Sequence, residues 1–130
     1  MKFLLNAIEI YTGQTYNEIK KLLEDNRFNT SSPEYSSEII FHGEMYLEKL
    51  NHKIVIHMYF GRDTEEIQSM IIHPFPIDFD LIQNYLEEQF GTPNEILGEK
   101  KVAWKVGNGQ VVHQMIERFG DEEMVYVEFD

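Results

Sequence analysis

Two segments of the chain have apolar residues at the spacing of an amphipathic helix. In 19–25 and again in 82–88, apolar residues occur at one position and then three and four positions later, which places them on one helical face. The pattern predicts helices at about 15–28 and 78–90. Each helix has an apolar face that must be buried.

Residues that cap helices stand near the ends of both segments. The first begins with a capping box from Thr15 to Glu18, in which the threonine oxygen accepts from first-turn amides and the glutamate bonds back. The second begins at Asp78, whose carboxylate can accept from the same kind of amide, and ends at Gly91 before Pro93. These signals favour two separate helices.

After each helix, the pattern changes to the alternation of β-strands. The predicted strands lie at about 36–49, 52–60, 65–73, 100–106, 109–119 and 122–129. The sequence Gly107-Asn108-Gly109 is typical of a hairpin turn that needs a positive φ. The order in each half is therefore one helix followed by three strands.

The two halves also match in sequence. Ile39-Ile40-Phe41 corresponds to Val102-Ala103-Trp104, and Glu65-Glu66-Ile67 corresponds to Glu122-Glu123-Met124. We therefore predict an α+β fold made of two αβββ repeats, at about 15–74 and 78–130, within a single domain spanning 1–130. The alternative is chance similarity, because the periods of helices and strands recur in unrelated chains.

Alternation assigns the strand side chains to two sides of the predicted antiparallel sheet. Ile54, Ile56, Met58 and Phe60 share the apolar side, which the helices are expected to cover. The other side is predicted to be an open, polar and aromatic face that binds a partner; its residues are His42, Glu44, Tyr46, Glu48, His57, Tyr59, Tyr126 and Glu128. Tyrosine offers a large contact area with a polar tip, although tyrosine and histidine are also ordinary strand residues.

The charge balance restricts the class of partner. The chain has 23 acidic and 11 basic residues, which give a formal charge of −12. Such a surface repels nucleic acid and anionic membranes and attracts a basic protein or a cation, although it also serves solubility. The apolar runs are too short to span a bilayer, and we expect the N-terminal segment to be part of the fold rather than a signal peptide.

Catalytic and metal chemistry find little support in the sequence. There is no cysteine, which excludes disulfides, thiolate zinc sites and a cysteine nucleophile and is compatible with the cytoplasm. No two histidines have metal-ligand spacing on one element, although His42 and His57 could meet across a hairpin beside Glu44. The serines lie in a loop-like region, and paired glutamates are adjacent in sequence. We therefore expect no enzyme activity and no cofactor.

The layout resembles two groups of small binding proteins. Two helix-plus-three-strand copies with one open aromatic face resemble the tandem architecture of β-lactamase inhibitor proteins. The segment Phe90-Gly91-Thr92-Pro93, followed by Trp104 and a hairpin, is similar to the closing half of small bacterial immunity proteins, which block a secreted toxin. The resemblance transfers no functional residue. Because disulfides are impossible and no secretion signal is recognised, it favours the cytosolic immunity type.

The leading hypothesis is thus an immunity or antitoxin-like protein that binds a basic, nuclease-type toxin and occludes it by charge and shape. Two alternatives stay open at this point. One is a structural module that assembles with itself through strand edges or the open face. The other is a domain that holds a small molecule between helices and sheet.

Overall fold

The computed structural model describes residues 1–25, 29–30, 34–35, 39–74, 79–116 and 122–130. In these ranges the elements are, in chain order, β1 (Lys2–Leu5), β2 (Ile8–Tyr11), α1 (Tyr16–Asp25), β3 (Asn29–Thr30), β4 (Glu34–Tyr35), β5 (Ile39–Leu47), a 3₁₀ helix (Glu48–Leu50), β6 (His52–Phe60), β7 (Ile67–Pro74), α2 (Phe79–Phe90), β8 (Glu95–Gly98), β9 (Lys101–Val106), β10 (Gly109–Ile116) and β11 (Glu122–Glu128).

The strands form one large sheet and a separate two-stranded hairpin of β1 and β2. The order in the large sheet is β3-β5-β6-β7-β11-β10-β9-β8, and β4 also pairs with β5. At the centre, β7 pairs antiparallel with β11, so strands that follow α1 and strands that follow α2 belong to the same sheet. The predicted α+β class with antiparallel strands is confirmed.

Both predicted helices and all six predicted strands are present, with ends that differ by a few residues. Parts of the predictions, namely 26–28, 36–38, 117–119 and the helix start at Asp78, lie outside the described residues. The short strands β1 to β4 and β8 are additions to the predicted set.

One predicted strand boundary is wrong in a way that affects a site residue. The first strand was expected to run to residue 49, but it ends at Leu47, and Glu48 begins the 3₁₀ helix. Asn51 follows with a left-handed φ of 50°, which reverses the chain into β6. The three-residue helix therefore takes the place of the last strand residues.

Two of the predicted signals at helix ends, Thr15 and Gly91, correspond to observed contacts. The Glu18 backbone amide donates to Thr15 Oγ1 over 3.4 Å at the start of α1, as expected for an N-cap. At the end of α2, Gly91 has a φ of +77°, and its amide donates to the Glu87 carbonyl over 2.8 Å. Glycine is suited to this position because it has no Cβ that would oppose a left-handed conformation.

The apolar side of the large sheet is the main part of the core. On β6, Ile54, Ile56, Met58 and Phe60 are each 0% exposed, so their predicted inward orientation is confirmed. Trp104 on β9 is 1% exposed, and its indole Nε1 donates to the Gly91 carbonyl over 2.8 Å. This bond satisfies the polar atom of a buried tryptophan.

The β1–β2 hairpin is attached to both α2 and the end of β5. The Leu4 carbonyl accepts from Tyr85 Oη over 2.6 Å and from Gln89 Nε2 over 3.1 Å. At the hairpin turn, Asn6 has a φ of 55°. Its side-chain Nδ2 donates to the Tyr46 carbonyl, and its Oδ1 accepts from the Glu48 backbone amide. These bonds join residues that line a cleft between the hairpin, the β5–β6 connection and α2.

Candidate functional site

The predicted binding residues of β5, β6 and β11 lie on the side of the large sheet opposite its buried apolar residues. Cross-strand partners point to the same side of a sheet, and Phe41 pairs with Met58 on the buried side while His42 pairs with His57 on the other. We call this second side the tyrosine–histidine face; its described members are His42, Glu44, Tyr46, Lys53, Val55, His57, Tyr59, Ser69, Ile71, His73, Glu95, Lys101, Ala103, Lys105, Gln110, Val112, Gln114, Met124, Tyr126 and Glu128.

Glu48 is the exception among the predicted site residues. It lies in the 3₁₀ helix instead of continuing the alternation of β5, so its assignment to the same strand face is wrong. Its backbone amide donates to Asn6 Oδ1 over 3.0 Å, and its side chain lines the neighbouring cleft. Glu48 therefore borders the tyrosine–histidine face without belonging to it.

A row of side chains crosses the face at right angles to the strands. Successive cross-strand pairs connect six strands from β5 to β9; the residues are His42, His57, Ile71, Tyr126, Val112 and Ala103. The first five are half-buried and Ala103 is 4% exposed. The row therefore forms a continuous apolar and aromatic band with two imidazoles at one end.

The β7 residues of the face are absent from the set of site residues predicted from the sequence. Ser69, Ile71 and His73 on β7 lie between the predicted residues of β6 and those of β11. Their alternation with buried Met70 and Ile72 is readable in the sequence. What the sequence does not contain is the pairing of β7 with β11, which brings the two halves of the site together.

Three histidines from neighbouring strands form a cluster on the face. The ring centroids of His42 and His57 are 4.6 Å apart, and those of His57 and His73 are 5.6 Å apart. His42 Nδ1 and His57 Nδ1 are 2.5 Å apart, so one nitrogen donates and the other accepts. Burial, followed by the nearby His42 and His73, lowers the pKa of His57 below 6.5.

Tyr126 lies near the middle of the row. Burial, followed by the neighbouring carboxylate of Glu128, raises its pKa above 10, and a hydrogen bond with Ser69 acts in the opposite direction. The phenol therefore keeps its proton at neutral pH and can donate a hydrogen bond to a partner. A half-buried phenol in this position combines ring area with a polar tip.

The carboxylates of the face have partners within the chain. Glu44 accepts from Lys53 over 2.7 Å, and Glu128 accepts from Gln110 Nε2 over 2.9 Å. At the far end, Glu95 accepts from Lys105 over 3.0 Å. A lysine thus neutralises Glu44, whereas Glu128 keeps its negative charge because its partner is a neutral amide.

A cleft of about 700 Å³ lies beside the face, between the β1–β2 hairpin, the β5–β6 connection and α2. Its wall includes the predicted site residues Glu44, Tyr46 and Glu48. Lys49 Nζ and Glu88 Oε2 are 3.0 Å apart across its rim, which connects the 3₁₀ helix to α2. The volume is within the usual range for small-ligand sites.

A separate polar cluster lies inside the core beneath α2. His113 is 0% exposed and Glu123 is 4% exposed, and His113 Nε2 is 3.8 Å from Glu123 Oε1. On the other side of the ring, His113 Nδ1 is 2.8 Å from Gln83 Oε1, and Phe79 stacks on the imidazole. In the part of the chain that the structure describes, neither carboxyl oxygen of Glu123 has a hydrogen-bond partner.

The described ranges contain neither a metal-binding cluster nor a helix that could span a membrane. In these ranges no group of three or more histidine, cysteine, aspartate or glutamate side chains is arranged to hold a metal ion. None of the helices in the same part of the chain is long and apolar enough to cross a membrane.

Comparison with known proteins gives no relative from which a function could be transferred. No protein-family model matches the chain, and neither a curated protein nor a solved structure matches it. The geometry of the tyrosine–histidine face, the cleft and the buried cluster is therefore the basis for any functional conclusion.

Proposed function

We propose that this chain is an immunity or antitoxin-like protein that binds a basic toxin domain of nuclease type and occludes it without catalysis. The observation that carries the proposal is the band across the tyrosine–histidine face, from His42 to Ala103. Contiguous half-buried apolar and aromatic side chains on an exposed sheet are typical of protein-binding surfaces. The cytoplasm is the proposed location, and the absence of cysteine is compatible with it.

The proposal includes a layered arrangement in which the helices cover one side of the sheet. Tyr16 at the start of α1 contacts the rings of Phe41 and Phe60, with centroids 6.0 Å and 5.3 Å away. Phe90 at the end of α2 contacts Trp104, and the centroids are 6.4 Å apart. All these partners lie on the buried side. These helix contacts on the buried side support the proposal that the opposite side of the sheet binds a partner.

We also infer that the two halves are repeats of one αβββ unit. In each half, a helix precedes the three strands that pair in order, β5-β6-β7 and β9-β10-β11. The last strands of the two halves, β7 and β11, pair with each other. Two copies joined in this way produce a binding face larger than one unit could provide.

The net charge of −12 supports a basic partner. Opposite charge accelerates diffusional encounter, and an acidic surface can take the place of the phosphates that a nuclease binds. Because the carboxylates of the face are paired within the chain, we expect charge to contribute mainly to the association rate. The tyrosines are expected to determine the lifetime of the complex.

Replacing Tyr59 or Tyr126 with alanine is expected to weaken binding of a partner captured from the native cells. A hot-spot tyrosine contributes about 2 kcal/mol or more, which corresponds to roughly a 30-fold higher Kd. Calorimetry or surface plasmon resonance would measure the change, and Tyr46→Ala would test the end of the face next to the cleft.

Tyr11 provides a matched control for these variants. It is 42% exposed on β2, away from the large sheet, so Tyr11→Ala removes the same atoms from a different surface. Its Kd should match that of the unmodified chain. Equal affinities for the Tyr59→Ala, Tyr126→Ala and Tyr11→Ala variants would show that binding does not use the tyrosine–histidine face.

The cleft supports a second candidate function, the binding of a small molecule. Its volume of about 700 Å³ suits such a ligand, and its floor includes the buried apolar residues Ile8 and Met45. Tyr85 also lines it, and burial is the main cause that raises the pKa of this phenol to about 12. A ligand would therefore meet a neutral phenol, which already donates to the Leu4 carbonyl.

A further inference from the structure

We propose that His42, His57 and His73 form a pH-sensitive switch in the tyrosine–histidine face. The three imidazoles come from three adjacent strands, β5, β6 and β7. His42 and His57 are direct cross-strand partners, and His73 lies diagonally across β6 and β7 because its own partner is Val55. The cluster therefore depends on correct pairing of the sheet.

The contact between His42 and His57 limits the number of protons that the pair can hold. The two Nδ1 atoms are 2.5 Å apart, so one of them must be an acceptor with a free lone pair. Two neutral rings satisfy this condition, and so does one neutral ring beside one imidazolium. Two imidazolium rings do not, because an N–H group would then point at another N–H group. Uptake of the second proton must separate the rings.

The third histidine increases the opposition to protonation. The centroid of the His73 ring is 5.6 Å from that of His57, a distance at which two positive charges repel each other appreciably even near a protein surface. The pKa of His57 is lowered by burial first, and then by His42 and His73. His57, at the centre of the cluster, is thus the ring most affected by its neighbours.

Other groups near the cluster determine its electrostatic surroundings. Glu44 on β5 lies diagonally opposite His57 on β6 and forms a salt bridge with Lys53. Ile71, the β7 partner of His57, has no charge. Among the described residues of β5, β6, β7 and β11, the titratable and charged groups on the same side of the sheet as His57 are His42, Glu44, Tyr46, Lys53, Tyr59, His73, Tyr126 and Glu128.

The sign of the effect on stability follows from the lowered pKa of His57. Between the lowered pKa and 6.5, the folded chain holds fewer protons on His57 than the unfolded chain does. The free energy of unfolding therefore falls as the pH decreases through this interval. The contribution is fully present above pH 6.5 and is lost as the pH falls through the pKa of the folded state.

Acidification is thus expected to place positive charge at one end of the row, and uptake of a second proton by the pair is expected to separate the His42 and His57 rings. If the proposed function holds, a basic partner is bound more weakly in acid than at neutral pH, because the charge on the face opposes its own. This consequence depends on the proposed function. The switch itself does not, and it can be tested without a partner.

The test is an NMR titration of histidine side chains in the full chain, compared with the variants His42→Gln and His73→Gln. In the unmodified chain, His57 is expected to titrate below pH 6.5. Its midpoint should move upward in both variants, because each removes one of the neighbours that oppose its protonation. His52→Gln is the matched control, because His52 is on the same strand but pairs with buried Leu47 on the opposite side of the sheet. This variant should leave the His57 midpoint unchanged.

The pH dependence of stability is a second test that does not depend on the NMR titration. Urea unfolding at about pH 7.5 and pH 5.5 should show a larger loss of stability on acidification in the unmodified chain than in His57→Gln. The proposal is overturned if His57 titrates at or above pH 6.5. It is also overturned if the His57 midpoint in both His42→Gln and His73→Gln is the same as in the unmodified chain. Failure to find a partner would count against the proposed function and would leave the titration result unaffected.

Discussion

Replacing His113 with leucine is expected to lower the free energy of unfolding by about 3–5 kcal/mol, the usual cost of removing one partner of a buried salt bridge. His113 is 0% exposed, and its Nε2 is 3.8 Å from Glu123 Oε1. Both carboxyl oxygens of Glu123 are buried and have no hydrogen-bond partner among the described residues. Leucine would remove the imidazole that lies beside this buried carboxyl group. Urea unfolding would measure the loss.

The double variant His113→Leu with Glu123→Met is the control for this prediction. Replacing both members of a buried pair with apolar residues of similar size is often close to neutral. The double variant is therefore expected to recover most of the stability that His113→Leu loses. A double variant at least as unstable as His113→Leu would show that the loss arises from packing against Phe79 and the bond to Gln83, and not from the carboxyl group.

Replacing Trp104 with alanine is expected to lower the free energy of unfolding by about 3–5 kcal/mol, since truncating a buried aromatic residue leaves a cavity. Trp104 is 1% exposed and donates to the Gly91 carbonyl at the end of α2. It also contacts Phe90, which in turn contacts Phe3 of the hairpin. The same ring thus connects the sheet to α2 and, through Phe90, to β1.

Ile96→Ala is the matched control for this prediction. Ile96 lies on β8, next to the strand that carries Trp104, but it is 80% exposed. Its truncation should change stability by less than about 0.5 kcal/mol. If chemical unfolding gave similar losses in the free energy of unfolding for Trp104→Ala and Ile96→Ala, the placement of Trp104 in the core would be contradicted.

The sequence predicts the fold best where both the period and the residue types agree. On β6 the alternation is strict, and all four predicted inward residues, from Ile54 to Phe60, are fully buried. The end of α2 is equally well marked, because Gly91 has the positive φ that its position requires. In these segments, local chemistry and tertiary structure impose the same pattern.

The prediction is weakest where buried polar residues interrupt the pattern. The alternation of β10 is obscured because the inward residue His113 is polar, whereas the outward residue Val112 is apolar. Glu123 is buried in the same way on β11. Their burial depends on contacts with each other and with Gln83 of α2, and no local rule in the sequence specifies contacts between residues so far apart in the chain.

The candidate site is only partly predictable for the same reason. The outward side chains of each strand can be read from alternation, and this identifies His42, His57 and Tyr126. Their assembly into one row depends on the pairing of β7 with β11, which connects distant parts of the chain. The 3₁₀ helix that takes Glu48 out of β5 is a short local turn that strand periodicity does not reveal.

Hydroxyl-radical footprinting of the complex with a captured partner tests the proposed binding face most directly, since tyrosine and histidine side chains report their own exposure. We expect Tyr59, Tyr126 and His57 to become protected on binding, while Tyr11 keeps the reactivity that it has in the free chain. Protection confined to Tyr46, which also lines the cleft, would place the ligand there. Unchanged reactivity of both Tyr59 and Tyr126 in a saturated complex would contradict the proposed function.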